Sequence, residues 1–222
     1  MRRRHFGVTR SYSNNGESYG MSVAHASRPY RQVARAAATQ ETQRRILAAF
    51  RVALRERWLD EITLDDVAAA AGTTRQTVIR MFGGKDGLIA AASDAMKNEI
   101  TLLRAVQPGA PPAAVARALV ADYEVTGDTV MRILAQEERH PPLTGILTLG
   151  RRWHRKWVEE TFAPALERLA EPERGQNVDQ LVAVTDVYVW KLLRRDFRHS
   201  AAEVEDLIAG MLNKLLKEGI PQ

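Results

Sequence analysis

The sequence predicts an all-α protein, and three features carry that prediction. Apolar residues recur at helical spacing in most segments from Thr39 onward. Capping residues, glycines and prolines punctuate the chain between those segments. No segment shows sustained strand alternation, and there is no internal repeat.

Composition bounds the rest. At 222 residues and 45% apolar content, the chain can build one large or two small domains with a real core. It contains no cysteine, which excludes disulfides and thiolate metal sites. Its longest uncharged run, Ala105 to Ala116, holds twelve residues, three of them proline, so nothing in the sequence suits a membrane span. Arg2-Arg3-Arg4 has no apolar stretch behind it, which argues against a secretory signal. The expectation is a soluble, cytoplasmic protein. The net charge is +5, but residues 1–38 hold seven arginines against Glu17 alone, while residues 91–222 hold seventeen basic and nineteen acidic side chains. The basic excess therefore lies in the tail and says little about partners of the folded part.

Residues 1–38 are rich in Ser, Asn, Gly, Ala and Arg without apolar periodicity, and read as a disordered basic extension. Two readings stand. One is an inert extension, in which MSVAHASRPYRQ from Met21 would make an ordinary short leader. The other is an arginine arm lying along DNA phosphates. From Thr39 a first helix places Ile46, Ala49, Phe50, Ala53, Leu54 and Trp58 on one stripe. Thr63 can then cap a second helix with Asp66 at N3, and Ile62 can staple onto Val67. Gly72 suits the left-handed position that ends this helix. Thr74 caps a third helix with Val78 and Phe82 inward, and Gly83-Gly84 close it. A longer helix runs from Lys85 to about Val106, where PGAPP breaks it. Further helices are expected at about 112–126, 128–139 and 142–170, punctuated by Gly127 and His140-Pro141-Pro142. Residues 178–193 are apolar nearly all round. Ser200 and Glu203 form a capping box for a last helix striped with Val204, Leu207, Ile208, Met211, Leu212, Leu215 and Leu216.

Two short helices joined by a tight glycine turn, with a third in front, make a helix-turn-helix unit. In such units the second short helix enters the major groove. The alanines of 68–71 let the two helices approach closely, and the polar residues of 74–80 face outward. An ordinary helical corner with a solvated face would share this spacing.

The residues narrow the reading. ITLDDVAAAAGTTRQTVIRMFGGKDGLIAAA resembles the DNA-binding signature of the TetR family of bacterial transcriptional repressors, over roughly residues 41–92. The resemblance implies a helix-turn-helix DNA-binding domain at 39–84 and a larger helical effector-binding and dimerisation domain at 85–222. It implies phosphate contacts from Thr63, Thr74, Thr77 and Lys85. It puts Arg75 and Gln76 at base-reading positions, where arginine suits guanine and glutamine suits adenine. Arg80 faces the same way and could meet phosphate or base. Three departures stand out: Ile79 where the family usually has tyrosine, Met81 where it often has histidine, and Trp58 where a glycine is frequent. Ile79 loses a hydroxyl contact and leaves an apolar group for a thymine methyl.

The resemblance also implies a double-stranded DNA operator, a small-molecule effector whose binding releases the operator, and a homodimer. Tyr123, Met131, Trp153, Trp157 and Phe162 would line the effector pocket or serve as plain core. Apolar surface in 178–194 and 201–217, with Val187, Trp190, Leu207, Met211, Leu212 and Leu215, would form a four-helix dimer interface. No cofactor, metal or catalytic set is expected: the five histidines, His5, His25, His140, His154 and His199, lack ligand spacing, and no phosphate loop or nucleophile elbow occurs. The alternative is a helical dimer that sequesters a ligand or partner, with a vestigial helix-turn-helix.

Overall fold

The computed structural model describes residues 27–218. The stretch up to residue 26, which contains most of the expected disordered extension, Met21, His5 and His25, lies outside the described residues. Helix α1 spans Ser27–Glu56, so it starts well before Thr39. The expected disorder over 27–38 does not hold, because Ala34 and Ala36 to Ala38 favour helix through backbone propensity alone, with no apolar stripe required. From Glu41 onward the chain packs as one compact unit.

Two cores organise that unit. The first gathers Ile46, Phe50 and Leu54 of α1, Leu59 and Ile62 from the connection, and Val67, Ala68 and Ala71 around helix α2 (Leu64–Ala70). Val78 of helix α3 (Arg75–Phe82) and Leu88, Ile89 and Ala92 of helix α4 (Lys85–Leu103) complete it, so this core crosses residue 84. Each large apolar side chain buried here contributes roughly 1.5–3 kcal/mol. Trp58 is not on the α1 stripe. The helix ends at Glu56, and Trp58 lies 40% exposed with the Arg132 guanidinium 5.6 Å above its ring.

The second core surrounds helix α5 (Pro112–Leu134), whose Val115, Leu119, Val120 and Tyr123 point inward. Helix α5 is continuous, and Gly127 does not interrupt it. A Cβ at Gly127 would lie 2.5 Å from Cζ3 of Trp190, so the glycine makes room for an indole rather than a break. Helix α6 runs Pro141–Thr161 and helix α7 Ala163–Leu166. The expected single helix over 142–170 thus divides at Phe162, ahead of Pro164, which favours a helix start. The apolar 178–193 segment also divides. Helix α8 (Glu173–Val184) ends at Thr185, and Asp186 caps helix α9 (Val187–Lys191) by accepting the Tyr188 N–H at 3.0 Å. A π-helical turn, Leu192–Asp196, follows. Ser200 and Glu203 start helix α10 (Ala201–Glu218) with the expected capping box, Glu203 accepting the Ser200 N–H at 2.7 Å. Helix α10 lays Val204, Ile208 and Leu212 into the second core.

Candidate DNA-binding surface and ligand cavity

The α2–α3 corner is built by local hydrogen bonds. The Thr63 hydroxyl accepts the Asp66 N–H at 3.1 Å, and the Asp66 carboxylate accepts the Thr63 N–H at 3.1 Å. These bonds hold the Asp66 carboxyl below the ordinary carboxylate range, through the Thr63 backbone first. At the other end of α2, the Gly72 N–H donates to Ala69 O at 3.1 Å and the Thr73 N–H to Ala68 O at 2.9 Å. This paired closure needs a left-handed residue, and Gly72 supplies φ +62. Thr74 then caps α3, its hydroxyl accepting the Thr77 N–H at 3.2 Å and lying 3.0 Å from the Thr77 hydroxyl. Gly83, at φ 78, ends α3.

The outer face of this corner carries the sequence-derived candidates. Thr63, Thr74, Arg75, Gln76, Ile79 and Arg80 are exposed, and Thr77 is half-buried. Ile79 is 42% exposed, an uncommon position for a large aliphatic side chain with no core to join. Arg75 Nη1 rests 3.2 Å from Asp65 Oδ2, a surface pair exposed enough to contribute little and to open at small cost. Lys85 differs from these neighbours. Its ammonium donates to the Leu59 carbonyl and is half-buried, and burial lowers its pKa. The lysine ties the start of α4 to the connection after α1 instead of standing in solvent. Gly87 was not singled out by sequence reasoning, yet a Cβ there would lie 1.6 Å from Phe82 O. Only glycine lets α4 begin this close to the end of α3.

The family model for bacterial regulatory proteins, tetR family, matches residues 46–92. That segment is a TetR-family DNA-binding domain. The match, which runs from Ile46 of α1 to Ala92 of α4, supports a TetR-type DNA-binding regulator. A search of curated proteins returns no matching sequence.

Beyond the matched segment, the chain holds a cavity of about 740 Å³ walled by α1, α4, α5, α6 and the α8–α9 connection. That lies within the roughly 300–1,000 Å³ of small-molecule sites. Of the five aromatic and methionine residues expected there, Tyr123 and Trp153 line it. Phe162 is buried in the second core, against which Met131 and Trp157 also pack. Phe162, Met131 and Trp157 therefore serve the core alone, and Tyr123 serves core and cavity alike.

A buried polar network borders this cavity and was not found from the sequence. Arg104, which caps the end of α4, donates from Nε to Asp122 Oδ2 at 2.5 Å and lies 2.9 Å from His154 Nδ1. The Arg104 guanidinium also sits 4.7 Å from the Tyr123 ring centroid and 5.1 Å from that of Trp157. Asp122 accepts the Thr126 hydroxyl at 2.8 Å, and His154 Nε2 lies 3.2 Å from the Thr185 hydroxyl. Burial first, and Arg104 second, push the His154 pKa down to about 3, so its imidazole is neutral. The available signal was Asp122 itself, a carboxylate on the apolar face of α5 between Leu119 and Tyr123. A second long-range bond ties the connection after α1 to the segment that follows α5: the Leu59 N–H donates to Gln136 Oε1 at 2.7 Å.

The dimer candidates divide likewise. Val187, Trp190 and Leu212 are buried within the chain's own core, so they present no surface to a second copy. Leu207 is exposed, and Met211 and Leu215 are half-buried. The apolar excess seen in the sequence was partly the demand of α5, which α9 and α10 both cover. Among the described residues there is no helix long and apolar enough to cross a membrane and no metal-holding cluster.

Proposed function

We propose that the protein is a cytoplasmic, ligand-responsive repressor that binds a near-palindromic operator as a homodimer and releases it when a small molecule fills the cavity. One observation carries this reading. Leu54, Leu59, Ile89, Ala92 and Leu143 belong to the core beneath the helix-turn-helix and also line the cavity. A ligand that displaces those side chains disturbs the packing on which α3 rests. Such a ligand has a different affinity for the two states, which is what an allosteric effector requires.

In this reading Arg75 and Gln76 read base edges from the first turn of α3, and Ile79 meets a thymine methyl. Thr63, Thr74, Thr77 and Arg80 hold phosphates. Lys85 is a structural tie and reaches phosphate only if it leaves Leu59. The second copy docks on Leu207, Met211 and Leu215, with exposed Tyr188, Leu192 and Phe197 nearby in sequence. The test is selection of bound fragments from random duplex DNA with the purified protein. The expected product is one enriched sequence with two inverted half-sites about one helical turn, or a multiple of it, apart. Recovery of unrelated fragments with no shared sequence would overturn the proposal.

A further inference from the structure

The charge of the cavity lining specifies more than its size does. Seven cationic side chains line it, Arg51, Arg55, Lys97, Arg104, Arg151, Arg152 and Arg155, against two carboxylates, Asp94 and Asp186. Four of the seven are neutralised by carboxylates that do not themselves face the cavity. Arg51 pairs with Glu99, Arg104 with Asp122, Arg151 with Glu137, and Arg155 with Glu159 and Asp179. Among the described residues Arg55, Lys97 and Arg152 form no ion pair, and all three are exposed, which places them at the solvent edge of the cavity. Deeper in, the wall is mostly hydrocarbon, Ile89, Ile100, Ile133 and Leu147 among it, and its polar part is the internally bonded Arg104 network with Gln136. His154 is neutral and adds no charge. The lining is therefore an apolar chamber with an unsatisfied basic mouth.

We propose that this cavity takes an amphipathic monoanion, a fatty carboxylate, with its chain against Ile89, Ile100, Ile133 and Leu147 and its acid group at Arg55, Lys97 and Arg152. The inference rests on the reading of the cavity as the effector site. A lipophilic cation of the same chain length would meet the same hydrocarbon wall but a repulsive mouth, with only Asp94 and Asp186 to receive it. Asp186 already accepts the Tyr188 N–H. A neutral alcohol would gain the chain contacts and nothing at the mouth.

The experiment titrates the full chain by calorimetry with dodecanoate, dodecanol and dodecyltrimethylammonium, each below its micelle-forming range. Dodecanoate is expected to bind about tenfold more tightly than the alcohol, the sum of a few solvent-screened ion pairs. The triple variant Arg55→Gln, Lys97→Gln, Arg152→Gln should reduce dodecanoate to the affinity of dodecanol and leave dodecanol unchanged. Met96→Trp, which fills the half-buried cavity wall, should weaken all three, with folding checked by circular dichroism. Equal or tighter binding of the cation, or a dodecanoate preference that survives the triple variant, would overturn the inference. So would absence of binding by all three. If the alcohol or the cation binds and Met96→Trp abolishes it, the cavity remains an effector site and only the anionic class fails. DNA selection without ligand is unaffected by any of these outcomes.

Discussion

The α2–α3 corner and the Arg104 network are both polar, yet they are held in opposite ways. The capping and turn bonds that shape the corner span three to five residues, from the Thr63–Asp66 box to the Thr73 N–H closing on Ala68. The network joins residues 18 to 50 apart, Arg104 to Asp122 and His154, and is buried. A surface corner with satisfied caps can offer its remaining donors to a partner without destabilising the fold. A buried ion pair has no such freedom, because each member depends on the other for its solvation. In this chain the corner proposed to meet DNA is locally closed, and the part that borders the cavity is cooperatively closed.

That contrast can be broken most forcefully at Arg104. Arg104→Met leaves the Asp122 carboxylate buried without its cation and should cost about 3–5 kcal/mol of stability, seen as a lower midpoint in urea unfolding. The double variant Arg104→Met, Asp122→Leu should recover most of that loss. If the single variant is as stable as the parent, the network is not cooperative.

The two close-packed glycines offer the next test. Gly127→Ala drives a methyl into the Trp190 ring and should cost about 1–3 kcal/mol by overpacking. Gly87→Ala meets backbone, at Phe82 O, which cannot move aside as a side chain can, so it should shift the α3–α4 junction as well. Operator affinity measured on folded protein should therefore drop for Gly87→Ala and hold for Gly127→Ala. The reverse order would contradict the division drawn between the corner and the body.

A smaller effect comes from His154. Its pKa is depressed from 6.5 to about 3 in the fold, so the unfolded chain binds a proton that the folded chain refuses between those values. Stability is complete above about pH 6.5 and falls as the pH drops, by up to about 1.4 kcal/mol per pH unit. His154→Gln should flatten the slope between pH 6.5 and 5, a window above the titration of ordinary carboxylates. An unchanged slope would mean that the imidazole titrates normally.

The same contrast explains what the sequence made legible. The caps at Thr63 and Thr74, the glycine stops at Gly72 and Gly83, and the outward face of α3 depend on neighbours within a few residues. They could be read directly. The capping box at Ser200 was legible for the same reason. Gly127 was misread because its role is set by Trp190, far along the chain, and a glycine in a helical pattern looks the same whether it breaks the helix or receives an indole. Val187, Trp190 and Leu212 looked like surplus apolar surface because their partner, α5, could not be placed from the pattern alone. The Lys85 ammonium has the same dependence on a distant partner, a carbonyl 26 residues earlier that no local pattern announces.

The measurement that bears most directly on α3 as the reading head compares Arg75→Ala and Lys85→Ala on the selected operator and on mismatched duplexes across a salt series. Arg75→Ala should lose about 1–3 kcal/mol on the operator and less on mismatched DNA, so that specificity relaxes. Lys85→Ala should lower the unfolding midpoint and leave the salt slope nearly unchanged, since its ammonium is bound to Leu59. A uniform loss on every sequence from Arg75→Ala, matched by a drop of about one unit in salt slope from Lys85→Ala, would make this segment a basic surface and contradict the account.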